Sequence, residues 1–220
     1  MDNLWVFALV ILFAIIAAYL RKRTLQKLLQ ELYTSAYVKK DKELFLLHVN
    51  SPQAKMLMSE GSRQLIKLNF YIANDEEDKV VKTVGRLQKT RLDRNNTKAF
   101  YRDAIGYYTE KQRGDSLALL EALKQKCDKS NDNDLILLYM DCQLLYDIYV
   151  KKDLSKIAPL QEAVDSDMDP QVKTVYRIRL ARLYDFAGNH TQSKKQLKLA
   201  KEAAQEPMKQ KIDHILKEGW

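Results

Sequence analysis

The chain opens on an unbroken apolar run and then changes to a periodic pattern. Every position from Leu4 to Leu20 (LWVFALVILFAIIAAYL) is apolar. Beyond Arg23 the apolar residues recur in steps of three and four. Leu25, Leu28, Leu29, Leu32 and Ala36 share one helical face, as do Ala54, Leu57, Met58, Gly61, Leu65, Leu68 and Ile72. Leu135, Leu138, Tyr139, Cys142, Leu145, Tyr146 and Tyr149 form the clearest stripe, and Val172, Val175, Tyr176, Leu183, Tyr184 and Ala187 form another. No run of alternating apolar residues bounded by turn signals stands out, so strands are not expected. The predicted class is all-α.

Polar breaks punctuate this pattern at regular intervals. Asp41, Asp78, Asp115, Asp153 and Asn189 each precede a new periodic segment, at intervals of 37, 37, 38 and 36 residues. Asp and Asn suit helix N-caps because their side-chain oxygen accepts an otherwise unpaired backbone N–H. Gly114 and Gly188 stand where a preceding helix must end. Pro52, Pro170 and Pro207 fall between helix pairs, where a missing N–H does least harm. The spacing predicts five helix–turn–helix units, at about 25–50, 53–90, 96–129, 133–166 and 170–205, and a short terminal helix near 207–218.

The last unit carries a family resemblance. Leu180-Ala181 followed by Tyr184, then Gly188-Asn189, Ser193, Leu197, Ala200 and Pro207, resembles a tetratricopeptide repeat in its large–small–aromatic order. Small residues let two helices approach while large ones fill the groove between them. The other units share only the architecture. They run longer than that family's usual repeat of about 34 residues, and Leu119 and Leu120 stand where an alanine is expected. The resemblance implies a tetratricopeptide-like α-solenoid of about five repeats over 24–220. A general α-solenoid is the fallback.

The apolar head, at 17 residues and about 1.5 Å per residue, gives roughly 26 Å of helix, enough for a hydrocarbon core. Trp5 and Tyr19 lie near its ends, where amphipathic rings favour the interface. Arg21, Lys22 and Arg23 follow at once and would fix the membrane exit. A cleaved signal peptide fits poorly, because Asp2 stands where a positive region is needed. A buried core helix fits poorly too, since the body is too small to surround it. Residues 1–23 therefore read as a single-pass anchor. Residues 21–40 carry a net +5 while the other flank has no Lys or Arg, which places the N-terminus outside and the body in the cytoplasm. A bacterial plasma membrane is preferred, and a mitochondrial outer membrane is kept open by analogy of layout. Two sequons, at Asn95 and Asn189, then read as chance.

Composition narrows the classes further. At 46% hydrophobic and 30% charged, with 6 Gly and 4 Pro, the chain is neither disordered nor a turn-rich β protein. Two cysteines exclude a disulfide scaffold. Glycine-rich phosphate loops, nucleophile elbows and His-Glu-x-x-His are absent, so no catalytic residue, cofactor or metal is assigned and an enzyme is not expected. Cys127 and Cys142 read as small core residues. Asp165, Asp167 and Asp169 open like a calcium loop, but Pro170 and Tyr176 break its pattern, which leaves Asp169 as a cap. Asp75, Glu76, Glu77 and Asp78 read as charges at a helix N-terminus.

The remaining excess lies at 171–220, with a net +6 that includes Arg177, Arg179 and Arg182. It suits a solvated face or a docking face for an acidic peptide or lipid; no nucleic-acid module accompanies it. Tyr107, Tyr139, Tyr146 and Tyr176 sit on first helices of their units, at spacings that serve core packing or a groove edge. Trp220 is read either as packing on the terminal helix or as a recognition tag. The function expected is a membrane-anchored scaffold or adaptor. Its solenoid groove, with those tyrosines and arginines, would hold a partner peptide or protein, and the anchor and basic flank would hold lipid. The alternative is a structural subunit of a membrane complex, its anchor packed on other transmembrane helices.

Overall fold

The computed structural model describes the backbone of residues 4–206 and 208–220, and side chains from residue 12 onward except Pro207. The calls on Trp5 and Pro207 and on the first part of the apolar run fall outside the described side chains. Twelve helices follow one another and no strand occurs among the described residues. Among those residues no helix is long and apolar enough to cross a membrane.

The chain divides into two compact units, Met1–Phe100 and Tyr101–Trp220. In the first, helix α1 (Leu4–Tyr33) runs into a π-helical turn at Thr34–Val38, followed by α2 (Lys42–Asn50), α3 (Pro52–Leu57), α4 (Glu60–Ala73) and α5 (Glu77–Leu87). Helix α6 (Arg94–Glu110) spans the division. The second unit continues with α7 (Asp115–Asp128), α8 (Asn133–Tyr149), a 3-10 turn at Leu154–Lys156, α9 (Ile157–Asp165), α10 (Pro170–Phe186), α11 (His190–Ala203) and α12 (Met208–Glu218). Helices adjacent in the chain pack on each other within each unit, including α4 on α5, α7 on α8, and α10 on both α9 and α11. This is compatible with a helical-hairpin repeat.

The turns have a common conformation. Among the described residues, the non-glycine positions with positive φ are Lys40, Asp75, Gln112 and Lys152, and Gly188 completes the series. Their positions recur every 35 to 40 residues, each between the two helices of a hairpin. A left-handed residue ends the first helix and redirects the chain. At Gly188 this costs nothing; at the four others a Cβ makes it unfavourable by about 1–2 kcal/mol. The Gly114 expectation is corrected here: Gly114 is right-handed, and Gln112 makes the turn, with the Arg113 N–H donating to the Tyr108 carbonyl at 2.8 Å.

The caps follow the sequence in part. Asp41, Asp153, Asp169 and Asn189 accept from backbone N–H groups of Leu44, Ser155, Gln171 and Gln192. Asp78 and Asp115 lie inside the first turns of α5 and α7, where they meet the helix dipole rather than cap. The second predicted unit holds three helices, because Ser51 caps a separate α3 before Ser59 caps α4.

Each unit has its own core. In the first, Leu28, Leu32 and Ala36 meet Phe45, Val49, Ala54 and Phe70. Leu29, expected on that face, is exposed. In the second, Ile148, Leu160, Val164, Leu180 and Leu183 form one cluster, and Ala181, Leu197, Ala200 and Ile212 another.

Candidate binding cavity in the second unit

A cavity of about 690 Å³ lies where α8, α10 and α12 converge. Leu145 and Tyr149 reach it from α8, Val175, Ile178, Arg179 and Arg182 from α10, and Met208, Ile212 and Ile215 from α12. Its wall is completed by Trp220. Gly219, at φ +92°, turns the chain after α12 so that the indole lies 4.9 Å from the Arg182 guanidinium carbon. A left-handed backbone here needs glycine, and no other residue type reaches it without strain.

The two arginines are held by their outer nitrogens. Arg179, only 6% exposed, grips Asp141 through both terminal nitrogens, with Nη2 to Oδ2 at 3.0 Å. Its guanidinium also faces the Tyr176 ring at 5.6 Å. Arg182 donates from Nη1 to Asp185 at 3.1 Å, and its guanidinium lies near the rings of both Phe186, at 4.2 Å, and Trp220. In both residues Nε is buried with no acceptor among the described residues. An unpaired buried donor costs about 1–3 kcal/mol, which the packing around each guanidinium offsets. Lys211 on the rim pairs with Glu110 at 3.0 Å. Burial, reinforced by the Glu110 carboxylate, pushes the Tyr149 hydroxyl up to about 12, so it stays a neutral phenol.

The residues singled out by sequence separate into different environments. Arg179 and Arg182 come together in the cavity. Arg177 instead joins a polar network, donating to Gln196 at 3.1 Å, and Gln196 donates to Gln161 at 3.3 Å. Tyr107 is 6% exposed, and its ring belongs to the core rather than to an open groove. Tyr176 packs on the Ile148–Leu160–Leu180 cluster. Tyr139 and Tyr146 are half-buried on α8; Tyr139 donates to Gln143 at 3.3 Å, and the Tyr146 ring lies 5.5 Å from Lys151 Nζ. The four tyrosines therefore do not share one open surface. Arg21, Lys22 and Arg23 are exposed along α1.

Two features escaped the sequence reading. Tyr149 was placed on a stripe but not in a cavity, and α12 was expected only as a cover. The other feature is the outer face of α8. Leu137 and Met140 are 64% and 61% exposed, and Ile136 beside them is also exposed. The signal was present: the segment LILLYM is apolar on both sides of the helix, beyond what one core-facing stripe requires.

The thiols and imidazoles assemble nothing reactive. Burial pushes Cys142 up to about 12, and burial also raises Cys127, which donates to the Leu135 carbonyl. Such thiols are poor nucleophiles. His48, His190 and His214 each lie beside a separate carboxylate, Glu31, Asp185 and Glu218. Among the described residues no group of three His, Cys, Asp or Glu has the proximity to hold a metal ion. Comparison with protein-family models, with curated proteins and with solved structures finds no match.

Proposed function

We propose that this chain is a membrane-anchored docking protein whose helical-hairpin body, of the tetratricopeptide-like kind, binds a protein partner. The observation that carries the partner reading is the uncovered side of α8. Its inner residues Leu135, Cys142 and Ile148 are buried, yet Leu137 and Met140 stand in solvent. A helix apolar on both sides calls for cover on both.

The anchor reading rests on a similar argument. Leu12, Phe13, Ile15, Ile16, Tyr19 and Leu20 are all exposed, so nothing in this chain buries the described part of the apolar run. Lipid is the environment that would. Helix α1 continues without a break to Tyr33, so the twelve steps from Arg21 span about 18 Å. The body would then stand off the surface, and Arg21, Lys22 and Arg23 would meet the headgroups of the cytoplasmic leaflet.

The test is photocrosslinking in native membranes from a photoreactive residue at 137 or 140. The expected result is one dominant protein adduct that is lost with Met140→Asp while the fold is retained. An unchanged adduct with Met140→Asp would refute α8 as the docking face. Extraction of the full chain by alkaline carbonate would refute the anchor.

A further inference from the structure

We infer that the cavity between α8, α10 and α12 is a second binding site, for an uncharged amphiphile: a single aliphatic chain ending in a hydroxyl or carbonyl group. The first observation is its apolar volume. About 690 Å³ lies in the range of small-molecule sites, and Leu145, Val175, Ile178, Ile212 and Ile215 line it from three helices. Such walls gain when water against them is exchanged for an aliphatic chain.

The second observation is charge. The charged side chains of the lining are matched within the protein: Lys211 with Glu110 at 3.0 Å, Arg179 with Asp141, and Arg182 with Asp185 at 3.1 Å. His214, where protonated, meets Glu218 at 3.3 Å. The Nε–H groups of both arginines are buried and closed to a ligand. No fixed charge is left over to compensate an ionic head, and a charge buried without a partner is costly. A neutral head escapes that cost. The third observation is Tyr149, whose hydroxyl makes no hydrogen bond among the described residues. Burial keeps it a neutral phenol, which can donate to a carbonyl or accept from a hydroxyl. An extended peptide suits these walls less, because its backbone N–H and C=O groups would face aliphatic carbon.

The test is contact quenching of Trp220, which lines the cavity. With Trp5→Phe it becomes the sole tryptophan of the full chain. That chain, in nanodiscs of zwitterionic lipid at mildly alkaline pH, is titrated with bromine-terminated undecanol, undecanoate and undecyltrimethylammonium. Bromine quenches an indole only at short range, so partitioning into the bilayer alone gives no saturable signal. The expected result is saturable quenching by the alcohol, with both charged heads at least about 10-fold weaker because each would be buried unpaired. Tyr149→Phe should weaken the alcohol by about 2- to 10-fold, the worth of one neutral hydrogen bond, and leave bromine-terminated undecane unchanged. Val175→Phe, which fills the cavity with an apolar ring, should abolish the quenching; Leu145→Phe replaces it if circular dichroism shows a loss of helix. Equal affinity for the three heads, or no saturable quenching up to millimolar alcohol, would overturn the proposal. So would quenching that survives a cavity-filling variant of unchanged helix content. Failure of the chain to enter nanodiscs would count against the anchor and not against the cavity, which is then titrated in solution. None of these outcomes bears on the α8 docking face, which lies outside the cavity lining.

Discussion

In the first unit the rings of Phe45 and Phe70 stack at 4.1 Å, and Tyr71 packs at the edge of Phe70. In the second unit α10 and α11 meet through Ala181, Leu197 and Ala200, and Ser193 on α11 is buried. The first joins helices of successive hairpins, the second the two helices of one hairpin. Rings fill the space between short helices, α2 at 9 residues and α4 at 14. Small residues draw α10, at 17 residues, and α11, at 14, together instead and leave little for side chains to fill. Next to this contact, with Ile178 and Ile212 shared between the two, Arg179 and Arg182 border an apolar cavity. A helix pair sealed by aromatic rings is stable through area, whereas one sealed by alanine is stable through fit.

That contrast breaks most visibly at Phe70. Phe70→Ala should lower the stability of the first unit by about 3–5 kcal/mol, the cost of emptying an aromatic site. Chemical denaturation followed by circular dichroism measures it, and a loss below about 1 kcal/mol would mean that the ring stack is not what holds α2 on α4. Ala181→Leu tests the other half. It should destabilise by about 2–3 kcal/mol, because the added methyl groups have no space between α10 and α11. A neutral result would show that fit is not the controlling feature.

The electrostatic partner of Arg179 should matter less. Asp141→Ala leaves Arg179 buried without its carboxylate, and about 1–2 kcal/mol is expected. This is below the full value for a buried pair because the Asp141 side chain is 42% exposed. The hairpin turns offer a gain in both units. Asp75→Gly in the first and Gln112→Gly in the second should each stabilise by about 0.5–1 kcal/mol, since glycine accepts the left-handed conformation freely. Melting temperatures would rise by a few degrees; a fall would indicate that the native side chain contributes more than the strain.

The smallest effect concerns pH and the first unit alone. Burial pushes the Glu76 carboxyl up, but hydrogen bonds from Lys42, at 2.7 Å, and from Lys79 outweigh it, so its pKa falls below the ordinary Glu value of 4.5. A depressed folded pKa means that the unfolded chain takes up the proton first. The stabilisation is fully present above about pH 4.5 and is lost as the pH falls through the folded value. Glu76→Gln should flatten that part of the acid-denaturation profile. An identical profile would show that Lys42 and Lys79 do not favour the charged form.

Much of the local structure was legible because it depends on neighbours in sequence. The terminal helix expected near 207–218 is α12 at Met208–Glu218, and Asp169 with Pro170 opens α10 as their types require. Leu28, Leu32 and Ala36 form one buried face of the first core. The extra helix α3 was missed because Ser51 and Ser59 are weak signals beside Asp, and each caps only a short step. The left-handed turns at Lys40, Asp75, Gln112 and Lys152 were missed because none of these residues except Asp advertises that conformation.

The sequence by itself determined the helical class, the hairpin period near 37 residues, three of the five expected polar breaks as true caps, and the split of charge between a flank and a terminal block. Only the tertiary structure decided which side of each apolar helix is covered. Periodicity fixes the angle of a side chain around its own axis, but not which helix arrives at that angle. Thus Tyr107 and Tyr176 went to the core, Leu137 and Met140 remained in solvent, and two arginines three positions apart met in one cavity while Arg177 bonded across to α11.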